Sequence, residues 1–138
     1  MSTSITEITP EQTWGLRQRV MWPNKPLDYV KLSADQHGKH YGLWQNDNLV
    51  SVVSLFINGH EAQFRKLATE VIEQGNGFGS SLLSFAMEQA QANGVKKIWC
   101  NARLDKISFY KDFGLELTNE TYEKDGVDYV IMEKAIMN

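Results

Sequence analysis

The chain has 138 residues, 42% of them hydrophobic and 22% charged, with a formal charge of −3 at neutral pH. That length suits one domain spanning residues 1–138 with a real core, and a single cysteine, Cys100, excludes an internal disulfide. No Cys/His cluster has zinc-site spacing, no apolar run approaches the ~20 residues that span a bilayer, and the acidic balance argues against a nucleic-acid face. The expectation is a small cytoplasmic domain with no nucleic-acid and no membrane partner.

In chain order, Ser4 to Ile8 reads as a short strand, and Thr9-Pro10-Glu11-Gln12 opens a helix. Thr9 is the N-cap, Pro10 suits the first helical position and Gln12 completes a capping box. Pro23 ends this helix near Trp22. Residues 22–38 carry two prolines and no period, which predicts a long loop with at most one helical turn. Tyr41 to Gln45 and Leu49 to Ile57 follow as strands around the turn Asn46-Asp47-Asn48. Asn58-Gly59 predicts a two-residue hairpin, and Ala62 to Ile72 a fourth strand. Leu82, Leu83, Ala86 and Ala90 recur at helical spacing, with Gly94 as the stop. Lys97 to Ala102 is strand, Lys106 to Phe113 a short helix ended by Gly114, and the tail a hairpin turning at Asp125-Gly126 between 116–122 and 128–135. Strand four, helix and strand five form a crossover inside hairpins. The predicted fold is therefore α+β (mixed α/β), a mostly antiparallel sheet with one parallel pair and helices on both faces.

The chemistry concentrates in Gln74-Gly75-Asn76-Gly77-Phe78-Gly79-Ser80-Ser81, between a strand and a helix. Three glycines in five residues let several backbone N–H groups point into one concavity, and the following helix adds its orphan first-turn amides. Such a loop suits a phosphate or pyrophosphate. It lacks the lysine of a P-loop and the third glycine of a dinucleotide fingerprint.

Gln74-x-x-Gly77-x-Gly79 resembles the acyl-CoA pyrophosphate motif (Q/R-x-x-G-x-G/A) of the GNAT superfamily of N-acetyltransferases. Asn101-Ala102-Arg103 followed by Phe109-Tyr110-Lys111-Asp112-Phe113-Gly114 resembles that family's NAR…FYxxxGF signature. The order of elements is similar along essentially the whole chain, as in a small bacterial-type single-domain member. The resemblance implies strands four and five splayed apart, with Leu67, Ala68 and Thr69 offering backbone groups to the pantetheine amides. It also implies that Gln74, Gly75, Asn76, Gly77, Phe78, Gly79 and Ser80 cradle the pyrophosphate, with Asn101 and Tyr110 near the thioester. Asn76 stands where many relatives have Lys or Arg, Lys106 replaces a small residue and Leu115 a Phe. The missing charge lowers the expected affinity without abolishing binding, because backbone amides do most of the cradling.

The implied activity is acetyl transfer from acetyl-CoA, a co-substrate, to a primary amine of a small molecule or peptide, without a covalent enzyme intermediate. An acyl-CoA-binding module without turnover is the alternative. The expected partners are acetyl-CoA and an amine acceptor, in a monomer or homodimer, with no metal. Such transfer needs a neutral amine, a stabilised oxyanion and a proton for the departing thiolate. Tyr110 is the candidate acid, an amide near Ala68 the candidate oxyanion donor, and Glu70 the candidate base. Arg65 and Lys66 either face the wedge or, the preferred reading, solvate the sheet; Cys100 reads as a buried small hydrophobe, and the three histidines as solvated groups without a role. Arg17, Arg19, Trp22 and Tyr29 are available to an acceptor. Trp22 suits either a pocket wall or a cap on the core, and the arginines suit a carboxylate.

Overall fold

In the computed structural model, which describes residues 2–136, seven strands form one sheet. They are β1 (Thr3–Ile8), β2 (Lys39–Gln45), β3 (Asn48–Asn58), β4 (Glu61–Thr69), β5 (Lys97–Arg103), β6 (Glu116–Lys124) and β7 (Val127–Ala135). Their order is β1-β2-β3-β4-β5-β7-β6, and among the described residues β4 and β5 are the parallel pair. The helices are α1 (Pro10–Leu16), α2 (Phe78–Ala92) and α3 (Ile107–Lys111).

Local sequence signals set most of these boundaries. Thr9 and Gln12 form the reciprocal capping box at the start of α1. The helix then widens into a π-helical turn over Arg17–Met21 and ends at Trp22, before Pro23. The following loop holds two short 3₁₀ turns, Leu27–Val30 and Asp35–His37, instead of at most one. α2 closes in a Schellman motif, in which Val95 N–H donates to the Ala90 carbonyl and Gly94 N–H to the Gln91 carbonyl. The same arrangement ends α3, where Leu115 N–H donates to the Tyr110 carbonyl and fixes the backbone of that tyrosine.

Two expectations are corrected. The β3–β4 hairpin turns at Gly59-His60, because Asn58 pairs with Glu61 and Gly59 takes the positive φ. β4 stops at Thr69, and Val71–Glu73 is a 3₁₀ turn with Ile72 89% exposed. Residues 67–72 look like strand in sequence, but Val71 and Ile72 have no core to enter.

Alternation along the central strands distributes the helices. Val52 and Ala68 pack with Leu16 of α1, whereas Val53, Leu55 and Phe64 pack with Leu82, Leu83 and Ala86 of α2. Ile107, Phe109, Tyr110 and Phe113 join that second cluster, so α2 and α3 share one face and α1 covers the other.

Candidate active site

The sheet opens in its middle. β4 and β5 pair through Glu61–Lys97, Ala62–Ile98 and Gln63–Trp99, and no further. A bulge helps to part them. The β3–β4 register jumps from Ser54–Arg65 to Val52–Ala68, and Lys66 takes a φ of 59°. This extra residue resets the alternation, so that Leu67, partly buried, packs against the same cluster as Ala62 and Phe64. Beyond Gln63 the facing edges of β4 and β5 keep backbone donors and acceptors that no neighbouring strand takes.

A cavity of about 650 Å³ fills this gap and reaches both faces of the sheet. Its α2-side end is the glycine loop. Gly75 and Gly77 have φ of 92° and 80°, and a Cβ added at either would meet nothing within 4 Å. Gly77 caps α2 without any side-chain acceptor, which leaves the first-turn amides of a 15-residue helix open to an anion. Gln74 Nε2 donates to the Thr69 carbonyl at 3.1 Å and ties the loop to the end of β4.

Tyr110 lies on the same side, with its ring 5.6 Å from Phe64 and 5.2 Å from Phe109. Burial first, then Cys100 and Asp105, push its phenol upward against the opposing pull of Arg103. The hydroxyl therefore keeps its proton at neutral pH. Burial also pushes the Cys100 thiol up to about 12, which leaves no thiolate for nucleophilic chemistry.

Of the residues singled out in sequence, Leu67, Ala68, Thr69, Gln74, Gly75 and Gly77 line the cavity. So do Phe78, Gly79, Ser80, Asn101 and Tyr110. Asn76 and Glu70 lie outside the lining. Asn76 Nδ2 donates to Glu73 at 3.2 Å. Glu70 follows the end of β4, sends its N–H to the Val50 carbonyl at 2.8 Å and holds Arg19 at 3.1 Å.

The opposite end of the cavity was less legible. Trp22 is a wall there, edge-on to Tyr29 at 5.1 Å and with the Arg103 guanidinium 5.3 Å from its ring. The Tyr29 hydroxyl donates to the Asp125 carboxylate at the tip of the β6–β7 hairpin, joining loop to hairpin across the mouth. Arg65 and Lys66 line the cavity, the less favoured of their two readings. Burial, with Arg65, Arg17, Lys124 and Arg103 adding like charge, pulls Lys66 down to about 8. Arg65 is likewise lowered by burial and by Arg17, against Tyr122 and Asp35. Tyr122, Lys124 and Tyr129 complete this end, and sequence reasoning missed them because strand pairing alone brings them to Arg103.

Two further expectations fail here. Arg17 is not available to an acceptor. It is wholly buried, gives Asp35 two hydrogen bonds of 2.9 and 3.0 Å, and also reaches the Val30 carbonyl and Ser54. Nor is His40 a solvated histidine. It is 1% exposed, with Nε2 2.8 Å from the Asp35 carbonyl and Nδ1 2.7 Å from Ser54 Oγ. A hydrogen on Nε2 satisfies the carbonyl, and Nδ1 then accepts from Ser54.

Comparison with known proteins places this architecture. The family described as Acetyltransferase (GNAT) domain matches residues 20–136. The uncharacterised N-acetyltransferase YitI of Bacillus subtilis is 24% identical over 142 aligned positions, covering 96% of this chain and 95% of that protein. A Lactobacillus plantarum structure, solved as a candidate N-acetyltransferase, superposes with a TM-score of 0.88 at 24% identity, over 99% of this chain and 100% of that one. A GNAT family acetyltransferase from Elizabethkingia anophelis, with acetyl-CoA bound, gives a TM-score of 0.75 at 17% identity, over 97% and 98% of the two chains.

Proposed function

Because the chain belongs to the GNAT acetyltransferase family, we propose that it transfers an acetyl group from acetyl-CoA directly to the primary amine of a small molecule or peptide. The observation that carries this reading is the cavity between parted β4 and β5, which joins open helix-terminal amides to the Tyr110 side. The amides of residues 75–80 hold the pyrophosphate, and the free edge of Leu67, Ala68 and Thr69 takes the pantetheine amides as an added strand. Asn101 lines the same gap from β5. Acetyl-CoA supplies an activated acyl carbon, so that one C–N bond forms as one C–S bond breaks.

The chain's own groups then manage charge and protons. A β4 amide near Ala68 stabilises the oxyanion. Tyr110, held protonated by burial, donates its proton to the departing sulfur. The nitrogen's surplus proton returns through water to the phenolate, which closes the balance. A fixed base is unnecessary at the acceptor end. The burial and positive charge that pull Lys66 down to about 8 also disfavour a charged ammonium brought to the same end of the cavity. With the Glu70 carboxylate held by Arg19, we assign the ammonium's first proton loss to water at the cavity mouth. The domain extends over the whole chain and works in the cytoplasm, as a monomer or homodimer.

Thermal unfolding with acetyl-CoA, CoA and NAD in parallel tests the site, because a ligand bound only by the native state raises the midpoint. CoA species stabilise and NAD does not; no shift at saturating CoA sinks the proposal. Thiol release with an amine panel tests turnover. Tyr110→Phe lowers kcat about 10²- to 10⁴-fold with little change in CoA affinity. Equal kcat removes Tyr110 from the mechanism.

A further inference from the structure

The acceptor end of the cavity holds a surplus of positive charge that the protein does not itself neutralise. Arg65 and Lys66 come from β4, Arg103 from β5 and Lys124 from β6, and all four line the cavity. Among the described residues none of them forms an ion pair. The Arg103 Nε is buried without a hydrogen-bond partner, and its Nη2 makes one long contact, 3.5 Å, to the Met21 carbonyl. Asp35 is engaged with Arg17 and Asp125 with Tyr29, and Glu73, which also lines the cavity, accepts from Asn76 at the glycine-loop end.

Strand pairing separates these cations from the phosphate-binding loop. Arg103 lies opposite Tyr129, and Tyr129 opposite Tyr122, so these three share one face of the sheet, and Lys124 is two residues on from Tyr122. On β5 that face is the reverse of Ile98, Cys100 and Ala102, which pack with α2. On β4, Arg65 alternates with Phe64, which also packs with α2. Arg65, Arg103 and Lys124 therefore lie on the α1 side, whereas the glycine loop opens α2 on the other. A pyrophosphate at the glycine loop does not occupy them. The flat walls beside them, Trp22 against Tyr29 and the Tyr122–Tyr129 stack at 5.1 Å and 14°, suit an apolar body between the charges.

From this arrangement we infer that the acceptor is an anionic amine, whose carboxylate or phosphate is taken by Arg65, Arg103, Lys66 and Lys124 while its amino group faces the gap between β4 and β5. The inference rests on the acetyl-transfer reading for the amine and on the cation cluster alone for the anion. A guanidinium pair with a free planar edge favours two-pronged binding of either oxyanion, which a lysine pair does less well.

The test uses acceptor pairs matched in skeleton, with kcat/KM referred to the neutral amine because the anion also raises amine basicity: phenylalanine against phenylalaninamide for the carboxylate, and O-phosphoethanolamine against ethanolamine for the phosphate. The anionic member of at least one pair has the higher kcat/KM, by about ten- to a hundredfold, the range expected of charge-assisted hydrogen bonds. Whichever pair responds identifies the oxyanion. Arg65→Gln and Arg103→Gln bring that ratio toward one, with the loss falling mainly in KM. In parallel, CoA-loaded protein is titrated with N-acetylphenylalanine and N-acetylphenylalaninamide, and with N-acetylated O-phosphoethanolamine and ethanolamine. Selective binding of an anionic member without turnover of any amine sustains the anion site and overturns the acetyl-transfer reading. Neutral amines used as well as anionic ones, a ratio untouched by both arginine variants, or no selectivity in either turnover or titration overturns the inference.

Discussion

Asp35→Asn removes the charge that organises the acceptor wall. Arg17 and Asp35 are 0% and 2% exposed, their two hydrogen bonds are 2.9 and 3.0 Å long, and the Arg17 Nε has no partner of its own. Asparagine keeps the volume and an oxygen for the Trp14 Nε1–H and Leu32 N–H donors, both 3.0 Å away. What disappears is the counter-charge together with the oxygen that accepts from Arg17 Nη2, which the amide NH2 replaces with a donor, and breaking a buried ion pair on one side costs about 3–5 kcal/mol. At about 4 °C of midpoint per kcal/mol for a chain of this size, the unfolding midpoint falls by about 12–20 °C. Circular dichroism melts measure this directly. Arg17→Met combined with Asp35→Asn removes both charges and recovers at least half of the loss, a coupling that a double-mutant cycle reads.

Acid provides a second handle on the same pair. Burial opposes ionisation of Asp35, but hydrogen bonds from Arg17, Leu32 and Trp14 outweigh it and hold the carboxyl below the usual carboxylate range. Its stabilisation is therefore complete above about pH 4 and lost as pH falls through the lower folded value. The wild type gives up this increment on acidification, and the Asn variant has none to give. A single-variant cost below about 1 kcal/mol, or a double variant no more stable than the single, refutes the ion-pair reasoning. Because the network reaches Val30 and Leu32 in the loop that carries Trp22 and Tyr29, the folded fraction of Asp35→Asn shows a raised acceptor KM with CoA affinity nearly kept.

Two further substitutions probe the cavity. Lys66 is lowered from 10.5 to about 8 by burial and neighbouring cations, so its charge destabilises the native state fully below pH 8 and is relieved between about pH 8 and 10.5. Lys66→Met therefore raises the melting midpoint at pH 7, and its advantage shrinks toward pH 10; a constant difference across that range contradicts the assignment. Gly77→Ala forces a side chain into a φ of 80° at the start of α2. It costs about 1–2 kcal/mol of stability and diminishes the thermal shift given by CoA, as melts with and without CoA read.

What the sequence disclosed and what it hid divide along the range of the forces involved. The capping box at Thr9, the helix stops at Gly94 and Gly114 and the Asp125-Gly126 turn depend on residues within five positions, so each appeared where read. The glycine loop was legible for the same reason. The bulge at Lys66 was not, because nothing in Arg65-Lys66-Leu67 announces a reset of strand parity, and without it the inward course of β4 is lost. Arg17 looks like any surface arginine until Asp35, eighteen residues on, meets it beneath the loop. His40 joins them only because β2 and β3 set it beside Ser54. Tyr122 and Tyr129 gained meaning through their register with Arg103, which the hairpin turn fixes and no local pattern states.

The parting of β4 and β5 has a consequence for the life of the protein in a cell. A sheet ordinarily exposes two outer edges, and this one adds two more in its interior, each with unspent backbone valence of the kind that recruits stray strands. On the proposed function, a pantetheine arm seated along Leu67–Thr69 spends the β4 share of that valence and works as a removable eighth strand. On that reading the empty protein is the form more exposed to opening, proteolysis and mispairing, and the loaded one the more durable. On that proposal, the same gap that serves the chemistry also sets how long the fold resists proteolysis, because a ligand bound only by the native state protects it in proportion to its concentration.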